Sequence, residues 1–403
     1  MAQLQRTRPP QRRPPSPRRR RRRRRLLRTI GLVILILLIP VGWSYSQALT
    51  APGNAPVSAR TVEWIKEHGG RGVVLTVERL WYSWHKPPVG GTPAGGIPKV
   101  SGDPQSSPAP GSGTQPAAPA HLPAPADVAP LASHPLPREG RWKPVGRSVA
   151  GVPATEVTYL RADDVHTSLL TGVMWMDTKL LRAQLVPGTD VPSGTPAAQA
   201  EIAHARYPEL AATFNSGFLL QDSHGGFYLN GRTTSPLQSG QASFVVYKNG
   251  SVNVGRWGSD VSMTPQVEAV RQNLSLLVSH GQPVSGLSSD SYQKWGATLG
   301  NQVLVWRTGV GVTADGALVY AAGPGLSVQS LAAVLARAGA VRAMELDINT
   351  EWASAMYYTG HGAGRPTPHK LLEGMYQGSD RYLIPDQRDF FAMYLRKGDA
   401  SQG

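Results

Sequence analysis

The spacing of apolar residues changes character four times along this chain, and each change predicts a different kind of element. From Ile30 to Trp43 the run Ile-Gly-Leu-Val-Ile-Leu-Ile-Leu-Leu-Ile-Pro-Val-Gly-Trp contains no charged residue. Counted from Leu26 it supplies eighteen positions, within the range of about 17–25 that a helix needs to cross a bilayer core. Between Pro56 and His85 the period becomes helical. Val62 and Ile65 make a short stripe with Ser58 as candidate cap and Gly69-Gly70 as stop, and Val73, Val77, Leu80, Trp81 and Trp84 make a wider one. Such stripes predict packing against a membrane or a partner.

From Pro87 to Pro137 there is no period: fourteen of these 51 residues are proline, seven are glycine and none is aromatic. That composition cannot bury enough surface to offset its ordering entropy, so a disordered, extended stalk is expected.

From Arg138 onward short apolar runs alternate with Gly, Asn and Asp turns. Thr155 to Leu160, Ser243 to Tyr247, Leu274 to Val278, Val303 to Thr313 and Ala317 to Ala321 read as strands, and Asn249-Gly250 and Asp315-Gly316 mark hairpins. One helix stands out, Val328 to Ala338, with Ser327 as cap, Leu331, Val334, Leu335 and Ala338 on one face and Gly339 at its end. It leads into Val341 to Asn349, which alternates strictly. Met344, Leu346 and Ile348 point one way and Glu345, Asp347 and Asn349 the other. A polar face carrying two carboxylates and an amide suits chemistry; a plain solvent-facing side is the other reading. The fold class is α+β, a strand-rich mixed-sheet domain with few helices.

Charge sharpens the division. The formal net charge is +15, yet thirteen of the 41 basic residues lie in the first 28 positions, including Arg18 to Arg25 without interruption, leaving 28 basic against 26 acidic side chains elsewhere. A nearly neutral body argues against a nucleic-acid-binding domain. Basic residues beside a first hydrophobic segment stay in the cytoplasm, so the chain after Tyr45 is expected outside. The organisation is then a cytoplasmic Arg-rich tail (1–25), a membrane-spanning signal anchor (26–45), a juxtamembrane helical segment (46–86), a linker (87–137) and a domain (138–397). Ser46-Gln47-Ala48 would also serve as a signal cleavage site, and Arg23 to Arg28 loosely imitates a twin-arginine export signal.

The chain has no cysteine, which removes disulfides, thiolate metal sites and a cysteine nucleophile. Its ten histidines show no zinc spacing, and neither a nucleophile elbow nor a phosphate-binding loop is present. Nothing calls for a metal or cofactor, and the oligomeric state is not legible.

Thr213-Phe214-Asn215-Ser216-Gly217-Phe218, then Gly225-Gly226 and Leu229-Asn230-Gly231, then Arg307-Thr308-Gly309-Val310-Gly311-Val312 with Asp315-Gly316, then a helix and Glu345-Leu346-Asp347, occur in an order that resembles the phosphodiester glycosidase family. That family is named for the enzyme that uncovers mannose 6-phosphate by removing N-acetylglucosamine from a phosphodiester. The resemblance implies hydrolysis between an anomeric carbon and a phosphate oxygen, with Asn215, Arg307 and Asp347 on the family's asparagine, arginine and aspartate. Arg307 would hold the phosphate, Asp347 would activate water or stabilise an oxocarbenium-like state, and Glu345 or Glu351 would be the second carboxylate. Asn215, Gly217 and His224 would contact substrate. Where the family has three glycines and a serine after the aspartate, this chain has Ile348-Asn349-Thr350-Glu351. That change reshapes the site and offers Asn349, Glu351 and Trp352 as a different sugar contact, with Trp352 as simple packing the alternative. Two functions follow: an extracytoplasmic hydrolase acting on a sugar-1-phosphodiester in a cell-envelope glycan, or a catalytically silent relative that binds such glycans or scaffolds envelope assembly.

Overall fold

The computed structural model describes residues 17–51, 55–100, 119–288, 295, 304–360 and 364–396. Its first element is a helix, Pro17–Thr50, whose stretch Leu27–Thr50 is long and apolar enough to cross a membrane. It runs a turn past the expected end at Tyr45. The next helix, Val57–Ile65, is pinned to it: the Trp64 indole donates to the Ser44 hydroxyl at 3.0 Å, and Arg60 Nη1 donates to the Leu49 carbonyl at 2.7 Å. Pro56, not Ser58, stands at its N-cap, and the Ser58 hydroxyl instead meets Tyr376 Oη at 3.1 Å. A π-turn over Lys66–Gly70, with Gly69 at φ 84°, separates it from the helix Arg71–Trp84. The two glycines break the helical path where the pattern predicts a stop.

Strands dominate the remainder and form three sheets. In the first, eight strands run in the order Lys143–Val149, Val152–Leu160, Thr171–Met176, Leu318–Leu326, Val305–Thr313, Ala340–Glu345, Leu276–Ser279 and Gln282–Pro283. In the second the order is Arg232–Ser235, Phe227–Leu229, Val267–Gln272, Ala242–Tyr247 and Val252–Arg256. In the third it is Thr367–Lys370, Ala355–Thr359, Leu210–Asn215, Phe390–Leu395 and Leu181–Val186. Every pairing among these strands is antiparallel, which corrects the expectation of mixed sheets. The reason is visible at a helical crossover. Leu318–Leu326 and Ala340–Glu345 are parallel to each other, but Val305–Thr313 lies between them and runs against both.

That crossover helix is Val328–Arg337. Ser327 accepts from the Ser330 amide and the Ser330 hydroxyl accepts from the Ser327 amide, a reciprocal cap. Its buried face, with Leu331, Val334 and Leu335, covers one side of the eight-stranded sheet, while the other side meets the remaining two sheets through Phe214, Phe244, Tyr320, Met344 and Phe391. Both Asn-Gly and Asp-Gly turns join paired strands as expected, Ala242–Tyr247 to Val252–Arg256 and Val305–Thr313 to Leu318–Leu326. The strand predicted from Leu274 begins only at Leu276, because Leu274 itself is in the left-handed region at φ 54°.

Residues 119–137 carry no regular secondary structure, yet they lie on the domain: Leu122 and Val128 are buried, the Leu122 amide donates to Asp177 Oδ2 at 2.8 Å, and the Trp142 indole donates to the Ala126 carbonyl at 2.9 Å. Ile97, from the other end of the proline-rich stretch, joins the main core. The middle of the expected stalk, 101–118, lies outside the described residues.

Candidate active site

The two loops that the resemblance singles out meet in space. The strand Leu210–Asn215 delivers Asn215, whose amide nitrogen donates to the Ser216 carbonyl at 2.9 Å and to Thr308 Oγ1 at 3.0 Å. Its oxygen accepts from Tyr320 Oη at 2.8 Å and from the Ser354 amide at 3.1 Å. Two donors and two acceptor positions are therefore used, leaving nothing for a sugar. Asn215 is a buried knot. Thr308 Oγ1 in turn donates to the Asp347 carbonyl at 2.7 Å, and the Asp347 amide donates to the Ser216 carbonyl at 3.1 Å. Gly217 follows because a Cβ there would lie 2.9 Å from the Asn273 side chain. Asn273 is itself fixed, donating to the Glu345 carbonyl at 2.9 Å and accepting from the Phe218 amide at 3.3 Å.

Arg307 and Glu345 sit on neighbouring strands and find each other. Arg307 Nη1 lies 2.6 Å from Glu345 Oε1, their side chains being 1% and 0% exposed, and Arg307 Nε donates to the Leu326 carbonyl at 2.9 Å. The predicted phosphate-facing guanidinium is thus closed against a carboxylate of its own sheet. Glu345 Oε2 is buried with no hydrogen-bond partner among the described residues. Burial pushes the Glu345 carboxyl up to about 6 against the pull of Arg307, and Asp347 adds to the rise. The polar side of the alternating segment is therefore roofed, neither open cleft nor solvent face. The strand also stops at Glu345, and residues 346–349 leave the sheet.

Asp347 is 5% exposed, and its Oδ1 accepts from the Asn349 amide at 2.9 Å. Burial raises its pKa; the opposing pull comes first from Arg388, then from that amide and from Arg381. Both guanidiniums lie over the Trp352 ring, 4.7 Å and 5.1 Å from its centroid. Arg381 is fully engaged with Asp386, at 2.5 and 3.2 Å, and with the Trp352 carbonyl at 2.9 Å. Arg388 Nη2 donates to Glu63 Oε1, on the helix Val57–Ile65, at 2.9 Å. Trp352 is 2% exposed, so it packs beneath these cations and is not an open platform. Asn349 and Glu351 shape the turn: Asn349 Oδ1 accepts from the Glu351 amide at 3.0 Å, and the Glu351 carbonyl accepts from Gln377 Nε2 at 3.0 Å. His224 is exposed in left-handed backbone at φ 49° after the short helix Leu220–Ser223. It makes no hydrogen bond to this buried group among the described residues.

Arg381 and Arg388 are the charged residues that motif reading misses. The one signal available was their placement with Asp386 and Asp389 among Tyr382, Phe390, Phe391 and Tyr394, since charges within a buried aromatic stretch must be paired. Among the described residues no group of three or more His, Asp or Glu side chains is arranged to hold a metal ion.

A sheet-built domain with two buried carboxylates at the junction of these loops defines a candidate glycoside-hydrolase class of site. Residues 208–370 match the family model of the phosphodiester glycosidases. The match contains Asn215, Arg307, Glu345 and Asp347 and stops short of Arg381, Arg388 and the strand Phe390–Leu395. Among solved structures, the chain is similar to the zebrafish N-acetylglucosamine-1-phosphodiester alpha-N-acetylglucosaminidase catalytic domain auto-inhibited by its pro-peptide. That similarity has 16% identity and a TM-score of 0.40, and covers 60% of this chain and 84% of the other. A hypothetical protein from Synechocystis is similar at 12% identity and TM-score 0.33, covering 63% and 64% of the two chains. An exported protein from Burkholderia pseudomallei is similar at 14% identity and TM-score 0.33, covering 57% and 74%. No curated protein matches the chain.

Proposed function

We propose that this protein is a membrane-anchored hydrolase that works outside the cytoplasm and cleaves a sugar-1-phosphodiester in a cell-envelope glycan or glycoconjugate. The observation that carries this reading is the burial of Asp347 within the matched domain, where Glu345 and the guanidiniums of Arg388 and Arg381 act on it electrostatically. A phosphodiester is a weakly basic leaving group, so the step needs little help from a strong acid and much from fixed charge. Asp347 supplies the carboxylate that activates water or steadies positive charge at the anomeric carbon. Arg307 and Glu345 form a rigid pair behind it and act by positioning; the guanidinium that meets the phosphate is taken up below. The apolar helix Leu27–Thr50, preceded by its arginine run, supports a single-pass anchor with the arginines in the cytoplasm.

The test offers the detergent-solubilised full chain a panel of sugar-1-phosphodiesters and measures released sugar. Asp347→Asn is expected to reduce turnover by about 10²–10⁴-fold. Turnover that survives this substitution unchanged overturns the assignment, and glycan retention without product favours a binding protein instead.

A further inference from the structure

We propose that Arg388 is the residue that takes the phosphoryl group of the substrate, and that Glu63 of the N-terminal helical segment stands in its place in this structure. The proposal rests on the reading above for its substrate class.

Arg388 is a buried cation with much of its hydrogen-bonding capacity unspent. Its side chain is 9% exposed, one nitrogen, Nη2, meets Glu63, and Nε and Nη1 have no hydrogen-bond partner among the described residues. Buried donors left unpaired are costly, the more so on a charged group, and these two leave the fork able to take an anion. The neighbouring guanidiniums are engaged by carboxylates of the domain itself: Arg381 by Asp386, Arg271 by Asp389 and Arg307 by Glu345. Arg388 differs in that its carboxylate arrives from outside the sheets, on the helix Val57–Ile65.

The chemistry of that carboxylate indicates what replaces it. Glu63 presents one negative charge shared by two oxygens, and a phosphodiester presents one negative charge shared by two non-bridging oxygens. A guanidinium fork suits either, and the exchange leaves the local charge unchanged. Position agrees with this role: Arg388 is the cation that pulls most strongly on Asp347, and its guanidinium carbon lies over the Trp352 ring. The surroundings are acidic, with Glu63, Glu67, Asp190, Asp347 and Asp389 all acting on or with Arg388. Glu63 and Glu67 both belong to the N-terminal segment, so lifting that segment removes two negative charges as it exposes the fork.

The experiment measures binding of dimethyl phosphate, a monoanionic diester, to the full-length protein in detergent micelles by calorimetry. Glu63→Gln is expected to tighten binding about tenfold over the unaltered chain, and adding Arg388→Gln to Glu63→Gln is expected to abolish the gain. Arg388→Lys, which keeps charge and stem in a chain that still folds, is expected to weaken binding several-fold in the Glu63→Gln background because the fork is lost. Equal affinity with and without Glu63→Gln overturns the proposal, as does undiminished binding in both Arg388 variants. The readout is binding and not turnover. A protein that binds the diester as expected but hydrolyses no sugar phosphodiester loses the hydrolase reading and keeps this site. One that hydrolyses it with kcat/KM unaffected by Arg388→Lys keeps that reading and loses this site.

Discussion

Arg307 and Glu345 face each other at 2.6 Å across adjacent strands, and neither side chain is more than 1% exposed. Losing one partner leaves the other as an uncompensated buried charge, a loss of about 3–5 kcal/mol, whereas replacing both with apolar residues is close to neutral. Arg307→Met alone is expected to lower the thermal midpoint strongly, and Arg307→Met with Glu345→Leu to recover most of it. A single variant as stable as the parent would show that the pair contributes nothing.

The same carboxylate sets a pH dependence. Glu345 titrates at about 6 in the fold against 4.5 for an ordinary glutamate, so the folded state binds its proton more tightly than the unfolded chain. Its contribution is fully present below about pH 4.5 and is lost as pH rises through about 6, on the order of 2 kcal/mol. Denaturation midpoints followed across this window are expected to fall with rising pH, and Glu345→Gln is expected to flatten that segment of the profile. A slope unchanged in the variant would assign the titration to another group.

Gly217→Ala places a methyl 2.9 Å from an asparagine that is tethered on both sides. The expected cost is about 1–3 kcal/mol of overpacking, together with displacement of the Glu345 backbone to which Asn273 is bonded. Proton-exchange rates of the 345–347 amides report the displacement directly; rates equal to the parent's would mean that Asn273 swings aside without consequence.

Ser327→Ala removes the acceptor half of a reciprocal cap on the helix Val328–Arg337, the Ser327 hydroxyl that accepts from the Ser330 amide. The expected loss is about 1 kcal/mol, read as a lower denaturation midpoint with activity retained. A midpoint equal to the parent's would assign the helix N-terminus to packing alone.

That helix was readable because all its signals agree: a serine cap, apolar residues three and four apart, and a terminal glycine in left-handed backbone at φ 93°. Hairpins at Asn249-Gly250 and Asp315-Gly316 were readable for the same local reason. The site was readable only in part. A period of two places Glu345 and Asp347 on one side of the chain, yet it carries no information about what roofs that side. The charges that act on Asp347 there come from Arg381 and Arg388, more than thirty residues downstream, and from Glu63, nearly three hundred upstream. Asn215 illustrates the converse. Its type and loop suggested a ligand contact, and its neighbour Ser216 together with three partners from distant segments consume it. A residue's chemistry is written in its own letter, but whether that chemistry is free to act is decided by neighbours that local spacing does not encode.

The strand Phe390–Leu395 lies inside its sheet, bonded on one edge to Leu210–Asn215 and on the other to Leu181–Val186. Both flanking strands leave the ribosome some two hundred residues earlier and have no partner for each other until this one emerges. Synthesis therefore delivers a long polypeptide whose layers cannot yet knit, with sequence-distant pairing left to the end. The third sheet can therefore close only once nearly the whole chain is available.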